Sequence, residues 1–321
     1  MNIYENFSLA EILYYKIGGE AKYVLKIQDA QDLLEALEFV EKNHISHILP
    51  VGLGANLLMS DAFFDGAVFW FAKPTEPLMS VHEDGRLEAF AGYLLDEVIQ
   101  FSFSHNLVGL EWAGGLPSTV GGAVRGNVGA FGNEIKKVVE KVEVIDIHNG
   151  KVETKTLFNM DLDFGYRSSI IKKKPQLIIT KVFFKLQKTN EKLVEEAQNT
   201  YFDKIAYRKE HNPVEYPSCG STFKNITEKE NIAKILAVWS DIAENMATKW
   251  HGKIAMGYII RRLGLAGTTI GRGQISEKHS NYLINLGGAS FDDIYGLLEK
   301  VKNTFHTTFG FFPEPEVQII K

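Results

Sequence analysis

The ten residues Tyr216-Pro217-Ser218-Cys219-Gly220-Ser221-Thr222-Phe223-Lys224-Asn225 set a hydroxyl, a small turn, a cation and an amide side by side. Ser221, directly behind Cys219-Gly220, reads as a proton donor or as a serine that caps a turn. Lys224 and Asn225 read as a grip on phosphate or sugar. The pattern is not the Gly-x-Ser-x-Gly elbow of hydrolases, because Thr222-Phe223 follows the serine. Cys219 is the only cysteine, which excludes an internal disulfide and argues against a Cys-rich metal site; a lone cysteine is more often a small buried apolar residue than a nucleophile. In Phe164-Gly165-Tyr166-Arg167-Ser168-Ser169 one arginine stands among aromatic and small residues. A guanidinium is always charged and fits a carboxylate bidentately, the alternative being an ordinary surface ion pair. Near the C-terminus, Pro313-Glu314-Pro315-Glu316-Val317 is held extended, since each proline disfavours helix for the residue before it. Alternation then puts Glu314 and Glu316 on roughly one face, unless the segment is merely an exposed acidic terminus. The nine histidines show no His-x-x-x-His and no carboxylate cluster at ligand spacing, so no catalytic metal is expected. His279, in Gln274-Ile275-Ser276-Glu277-Lys278-His279-Ser280-Asn281, is open to a substrate contact or a surface role.

Two glycine-rich stretches lie upstream. Gly52-Leu53-Gly54-Ala55-Asn56-Leu57-Leu58 follows an apolar strand, and glycines let backbone N–H groups turn toward an anion. It is a phosphate cradle or a tight connecting turn. Leu57 stands at the third glycine of a Rossmann fingerprint, and no Gly-Lys-Ser/Thr makes a Walker loop. From Gly114 to Gly132 there are seven glycines in nineteen residues, a poor helix or strand interior. Trp112, Leu116, Val120, Val128 and Phe131 are too apolar for a solvated linker, so a backbone wrapped around a ligand is favoured over a mobile loop, with Ser118, Thr119 and Asn127 offering hydrogen bonds.

These groups need a scaffold to place them. Apolar residues at Leu33, Leu34, Leu37 and Val40 predict a helix over 29–43 with Asp29 as cap. Strands are predicted at 44–51, 66–71, 86–91, 138–147 and 177–186, so the region from 74 to about 188 is strand-rich, as in α+β proteins. Thr227 with Glu230 predicts a capping box for a helix through Ile232, Ile235, Leu236 and Ile242. Ser290 with Asp293 predicts another, carrying Ile294, Leu297, Leu298, Val301 and Phe305 and stopped by Gly310. The polar run Lys188-Thr189-Asn190-Glu191-Lys192 and the weaker 73–77 are the expected boundaries. They give domains 1–73, 74–190 and 191–321. With 321 residues, 45% hydrophobic, large cores are affordable; the net charge of −5 and the lack of a basic block do not indicate nucleic acid. No charged-then-apolar leader opens the chain and no apolar run reaches about 18 residues, so no membrane span and a cytoplasmic location are expected.

In these motifs the chain resembles the UDP-N-acetylenolpyruvoylglucosamine reductase (UDP-N-acetylmuramate dehydrogenase) family. The resemblance runs from Tyr15-Lys16-Ile17-Gly18-Gly19 to Glu316-Val317. It includes the Gly-x-Gly-x-Asn-Leu-Leu loop, the Gly-Leu-Pro-x-Thr-Val-Gly-Gly-Ala run, Tyr166-Arg167, Gly220-Ser221, Phe223-Lys224-Asn225 and Ser276-Glu277-Lys278-His279. It implies a two-part FAD-binding region of the vanillyl-alcohol-oxidase (PCMH) type, domains 1–73 and 74–190, and a C-terminal α/β domain for a UDP-sugar. It implies FAD held by Gly52, Gly54, Ala55, Asn56, Leu57, Gly115, Ser118, Thr119, Gly122, Ala123, Asn127 and Gly129. The FAD is expected to be non-covalent, since Ala55 and Asn56 offer no nucleophile. NADPH is the implied co-substrate and UDP-N-acetylglucosamine enolpyruvate the substrate, reduced to UDP-N-acetylmuramate for peptidoglycan. Arg167 is implied as counter-charge, Glu316 as its assistant and Ser221 as proton donor, with Lys224, Asn225, Gln274 and His279 binding substrate and a monomer as the working form. Ser118 departs from a usual glycine and Ala55 from a common serine. The short interval from Arg167 to Ser221 and the Thr227–Trp250 insertion point to different subgroups, so Tyr201 is not assigned as a lid. The competing readings are another FAD-dependent sugar or hydroxy-acid oxidase of the same fold and a flavin-free nucleotide-sugar binding protein.

Overall fold

The computed structural model describes residues 1–148 and 151–321. The chain forms two compact units, each assembled from separate stretches: 1–7, 21–53 and 64–208 in the first, 8–20, 54–63 and 209–321 in the second. The units cut the chain elsewhere than the expected boundaries at 73 and 190. The polar run at 188–192 is no linker but the entry to a helix over Glu191–His211. That helix buries only Val194, Ala197 and Tyr201, so it reads as polar although it is packed. Tyr201 donates its hydroxyl to Asp96 at 2.6 Å and sets its ring edge-on to Phe103. Burial and then the Asp96 bond push its phenol pKa up to about 12. Tyr201 is therefore a packing residue, 3% exposed.

The first unit holds two sheets. One has the spatial order Asn2–Ser8, Glu20–Ile27, Phe64–Phe71, Ile48–Val51, and its last three strands run parallel. The helix over Ala30–Lys42 makes the crossover from Glu20–Ile27 to Ile48–Val51, and Asp29 caps it by accepting from Asp32 N–H at 2.7 Å, as predicted. Leu33, Ala36, Leu37 and Val40 form its buried stripe. The other sheet is antiparallel, in the order Lys151–Phe158, Val139–His148, Leu177–Lys185, Arg86–Phe90, Met79–Val81. Its register pairs Val144 with Ile179 and Phe184 with Leu87, which turns Val142, Val144, Val182 and Phe184 inward. Lys151–Phe158 is an exposed edge strand carrying Lys151 and Lys155, residues that discourage edge pairing.

The second unit packs helices on short strands. Thr269–Ile270, Gly273–Ile275 and Leu283–Asn285 form an antiparallel sheet, and Leu57–Met59 pairs in parallel with Gln318–Ile320. The helix over Phe291–Phe309 supplies much of the core through Ile294, Leu297, Leu298, Val301 and Phe305. Ser290 and Asp293 cap it reciprocally, each backbone N–H reaching the other's side chain at 3.1 Å, and Gly310 ends it at φ +77°. The other predicted box does not form. The Thr227 hydroxyl donates to Glu228, Glu230 pairs with Lys234 one turn on, and the helix covers only Lys229–Val238. Ile242 lies beyond it in a separate turn, Ser240–Ile242, where it is fully buried.

Candidate active site

In the first unit the glycine-rich stretch is ordered and mostly packed. Thr119 caps the short helix Val120–Arg125, and a Cβ on Gly52 would strike the Thr119 hydroxyl, so Gly52 permits the close approach of the two loops. Ser118 donates to the Thr119 carbonyl, and Ala123 is buried in the core. Gly114 and Gly115 have another reason. A Cβ on Gly114 would lie 2.5 Å from the Tyr201 carbonyl, and one on Gly115 3.2 Å from Ile205. Arg208 donates to the Gly114 carbonyl at 2.9 Å. Gly115, expected as a cofactor contact, also has φ +70° and packs against the Glu191–His211 helix. Gly129 sits in a tight hairpin, Gly129–Ala130 against Asn133–Glu134, whose turn residues Phe131 and Gly132 both have positive φ.

Asn127 also differs from expectation. It is fully buried, and its amide donates to the Gly165 carbonyl at 2.8 Å while accepting from Lys136 N–H at 3.3 Å. Its side chain is engaged with protein backbone rather than turned to a cofactor. What it holds is the Arg167 turn. Gly165 and Ser168 exchange backbone hydrogen bonds at 3.0 and 3.2 Å, leaving Tyr166 and Arg167 at the tip. Arg167 has φ +56°, a conformation that costs an L-residue about 1 kcal/mol. The surroundings over-determine it: its guanidinium donates to the Gly129 carbonyl at 2.8 Å, Lys172 donates to its carbonyl at 3.1 Å, and Ser169 anchors to the Arg125 carbonyl at 2.7 Å. The Gly129 bond also needs a glycine, since a Cβ there would lie 2.6 Å from the Asn133 carbonyl.

In the second unit Gly54, Ala55, Asn56 and Leu57 form a turn closed by Leu57 N–H on the Gly54 carbonyl. Gly54 has φ +65°, and a Cβ on it would strike Leu13. Among the described residues, the N–H groups of Gly54, Ala55 and Asn56 find no protein acceptor. Three adjacent free donors are the donor set of an anion site. Leu57 itself is buried, beginning the strand that pairs with Gln318–Ile320. Asn56 donates its amide to the Glu316 carbonyl at 3.1 Å and accepts Gln318 N–H at 3.0 Å, so it fastens the acidic C-terminal segment to this turn.

The Ser221 segment runs beside that same C-terminal segment. Glu316 N–H donates to the Thr222 carbonyl at 2.8 Å, Lys224 N–H to the Glu314 carbonyl at 2.9 Å, and Phe223 bridges Pro315. The backbone of Glu316 is thereby tied to that of Thr222, the residue after Ser221, and the segment runs extended as expected of Pro313–Val317. Gly220, at φ +70°, has no heavy atom within 4 Å of where a Cβ would sit. Glu314 differs in role from Glu316: its carboxylate is ion-paired with Lys224. Asn225 accepts from Met256 N–H at 3.1 Å and so caps the helix Met256–Arg262. Gln274 is the half-buried middle residue of its strand.

His279 is not the surface residue that one reading allowed. Its ring lies against Gly257, where a Cβ would meet it at 3.0 Å, and edge-on to Tyr282 at 4.9 Å. Its Nδ1 is buried with no hydrogen-bond partner among the described residues. Burial, seconded by the charge of Arg261, lowers its pKa below the usual 6.5, so the imidazole is neutral near neutral pH. Cys219 is buried and points its thiol at the Leu57 carbonyl, 3.2 Å away. Burial pushes the thiol pKa well up, which removes it as a nucleophile. Among the described residues no cluster of His, Cys, Asp or Glu could hold a metal, and no helix is long and apolar enough to cross a membrane.

Two family models match. One described as UDP-N-acetylenolpyruvoylglucosamine reductase, C-terminal domain, covers residues 212–320, and one described as an FAD binding domain covers residues 21–155. The UDP-N-acetylenolpyruvoylglucosamine reductase of Caldicellulosiruptor bescii is 34% identical over 313 residues, 97% of this chain and 88% of that protein. The enzyme of the same name from Caldanaerobacter subterraneus subsp. tengcongensis is 31% identical over 318 residues, 99% and 93% of the two chains. The crystal structure of UDP-N-acetylenolpyruvylglucosamine reductase from Thermus caldophilus aligns over 100% of both chains with a TM-score of 0.76 at 26% identity.

Proposed function

The chain belongs to the UDP-N-acetylenolpyruvoylglucosamine reductase family, and from that premise we propose which of its residues carry the reaction. The enzyme is an FAD-dependent oxidoreductase that uses NADPH to reduce UDP-N-acetylglucosamine enolpyruvate to UDP-N-acetylmuramate, a step of peptidoglycan precursor synthesis. Its α+β fold joins an FAD-binding domain to the C-terminal domain of that family.

The Gly54–Leu57 turn fits a diphosphate, because the N–H groups of Gly54, Ala55 and Asn56 find no acceptor among the described residues and glycine opens it. Gly52, Ser118, Thr119, Gly122, Ala123 and Gly129 supply close-approach backbone for the rest of the cofactor. An FAD held by these residues would supply the hydride transfer that links NADPH to the enolpyruvyl double bond. The attachment is read as non-covalent, for Ala55 and Asn56 carry no group that could bond to the flavin.

The protein's own task is electrostatic and protonic. Hydride addition to the vinyl carbon pushes charge toward a carboxylate that is already anionic. Arg167, pre-set on its strained turn, pairs with that carboxylate, and one such stabiliser contributes on the order of 3 kcal/mol. Ser221 Oγ delivers a proton to the carbon beside the carboxylate, a donation worth about 10²–10⁴-fold. Glu316 assists by hydrogen bonding, while Lys224 and Asn225 bind the nucleotide-sugar with Gln274 and His279. The observation that most supports this reading is the 2.8 Å bond from Glu316 N–H to the Thr222 carbonyl, which ties the backbone of the acid to that of the residue after the serine. The working form is taken as a cytoplasmic monomer without nucleic-acid or membrane partners.

Anaerobic stopped-flow spectroscopy tests the proposal. NADPH should bleach the yellow flavin band and the enolpyruvyl UDP-sugar should restore it. Restoration by oxygen but not by the sugar would refute the reading.

A further inference from the structure

We propose that Asn281 is a positioning residue for the proton donor, an assignment that rests on the reading of Ser221 and Glu316 given above. Asn281 is 2% exposed and follows the motif ending in His279. Its amide makes a two-way clamp on one residue: Oδ1 accepts from Phe223 N–H at 3.0 Å, and Nδ2 donates to the Phe223 carbonyl at 2.8 Å. Its own carbonyl accepts from Thr222 N–H at 2.7 Å. Three hydrogen bonds from one residue therefore fix the backbone immediately after Ser221.

The same backbone carries Glu316. The Thr222 carbonyl accepts from Glu316 N–H at 2.8 Å, and Thr222 and Phe223 are 4% and 1% exposed. Ser221 is only half-buried, and the Gly220 turn at φ +70° separates it from the buried Ser218 and Cys219. Thr222, on the side that Asn281 clamps, is the residue whose carbonyl bonds Glu316, so the register of Ser221 with Glu316 runs through that side. Only a side chain that donates and accepts in one plane can satisfy both groups of Phe223. Asparagine does so, as does a protonated aspartic acid, whereas serine or alanine leaves a buried backbone group unpaired.

That equivalence supplies the test. Both half-reactions are followed by stopped flow in wild type, Asn281→Ala and Asn281→Asp holoenzymes, with melting temperature and flavin content recorded for each. In Asn281→Ala the reoxidation by enolpyruvyl UDP-sugar should fall on the order of 100-fold, the cost of a small misplacement of a reacting group, while reduction by NADPH stays within about threefold. In Asn281→Asp the buried carboxyl faces the Phe223 carbonyl, so burial raises its pKa. Its reoxidation rate relative to wild type should then recover at least about tenfold from about pH 8.5 to about pH 6, as the carboxyl takes up the proton that lets it donate. A merely structural asparagine gives no recovery confined to one half-reaction. If Asn281→Ala does not fold, the acid recovery of Asn281→Asp decides alone. Wild-type reoxidation in Asn281→Ala, equal slowing of both half-reactions, or no recovery in Asn281→Asp overturns the proposal. A wild type that NADPH reduces but the sugar cannot reoxidise overturns the functional reading and this inference with it.

Discussion

Replacing Arg167 by glycine separates its two roles, because backbone and guanidinium pull stability in opposite directions. At φ +56° an L-residue is strained by about 1 kcal/mol, which glycine relieves. Glycine adds unfolded-state freedom, costing about 0.5–1 kcal/mol. It also loses the 2.8 Å bond to the Gly129 carbonyl, another ~1 kcal/mol at a partly buried site. These contributions nearly cancel, so unfolding free energy should change by no more than about 1 kcal/mol. Catalysis has no such compensation. Loss of the counter-charge should slow reoxidation by the enolpyruvyl sugar about 10²–10³-fold, with reduction by NADPH little changed. Arg167→Lys keeps the charge but not the planar fork, and should fall between the two. Chemical denaturation and the two stopped-flow half-reactions measure both axes on one preparation. If Arg167→Gly lost several kcal/mol of stability and slowed both half-reactions alike, the arginine would be a structural brace. Reoxidation at the wild-type rate would remove it from the site.

Ser221→Ala should leave flavin reduction by NADPH near wild type and slow reoxidation about 10²–10⁴-fold; equal slowing of the two would reassign the proton donor. Cys219, buried with a raised thiol pKa, should resist alkylation in native protein at mildly alkaline pH and react on unfolding, and Cys219→Ala should keep normal turnover; rapid native labelling would contradict the burial. His279 links stability to pH. Its folded-state pKa lies below 6.5, so as pH falls through about 6.5 the unfolded chain binds a proton that the folded chain refuses. Stability contributed by this residue is full above that pH, declines below it, and levels off once the folded-state pKa is passed. Denaturation curves of wild type and His279→Gln across that window should diverge in this sense, and parallel curves would show that His279 is not the titrating group.

The sequence was most readable where the physics is local. Asp29 and Ser290 cap their helices, and Gly310 ends one, because a cap bonds to a residue three or four positions away. The box expected at Thr227 fails on an equally local competition: Lys234, four residues after Glu230, pairs with its carboxylate. Arg167, Ser221 and Glu316 stood out by residue type against apolar or proline-flanked neighbours. The functions of Asn127 and Asn281 were not legible, since their partners lie 38 and 58 residues away along the chain. The helix packed against Gly115 is not legible from the glycine, because Ile205 lies some ninety residues later. That helix was itself hidden, because three buried residues in 21 leave almost no amphipathic signature.

One device is common to the two loops. The turn with Arg167 at its tip is held at Gly165 by Asn127, and the backbone after Ser221 is held at Phe223 by Asn281. Both asparagines are essentially excluded from solvent, at 0% and 2% exposure, where an amide bond to backbone has no water competing for it. A short loop has few backbone partners of its own, and a reactive side chain on it would wander by an ångström or more without outside support. Isolated bridges, Gly165 with Ser168 and Phe223 with Pro315, supply part of that support. A buried asparagine adds an amide bond to the backbone beside them, two positions along the chain from Arg167 in one loop and from Ser221 in the other. This arrangement accounts for an arginine whose backbone is kept at φ +56° and a serine kept half-exposed, the outside support that a site on a loop needs.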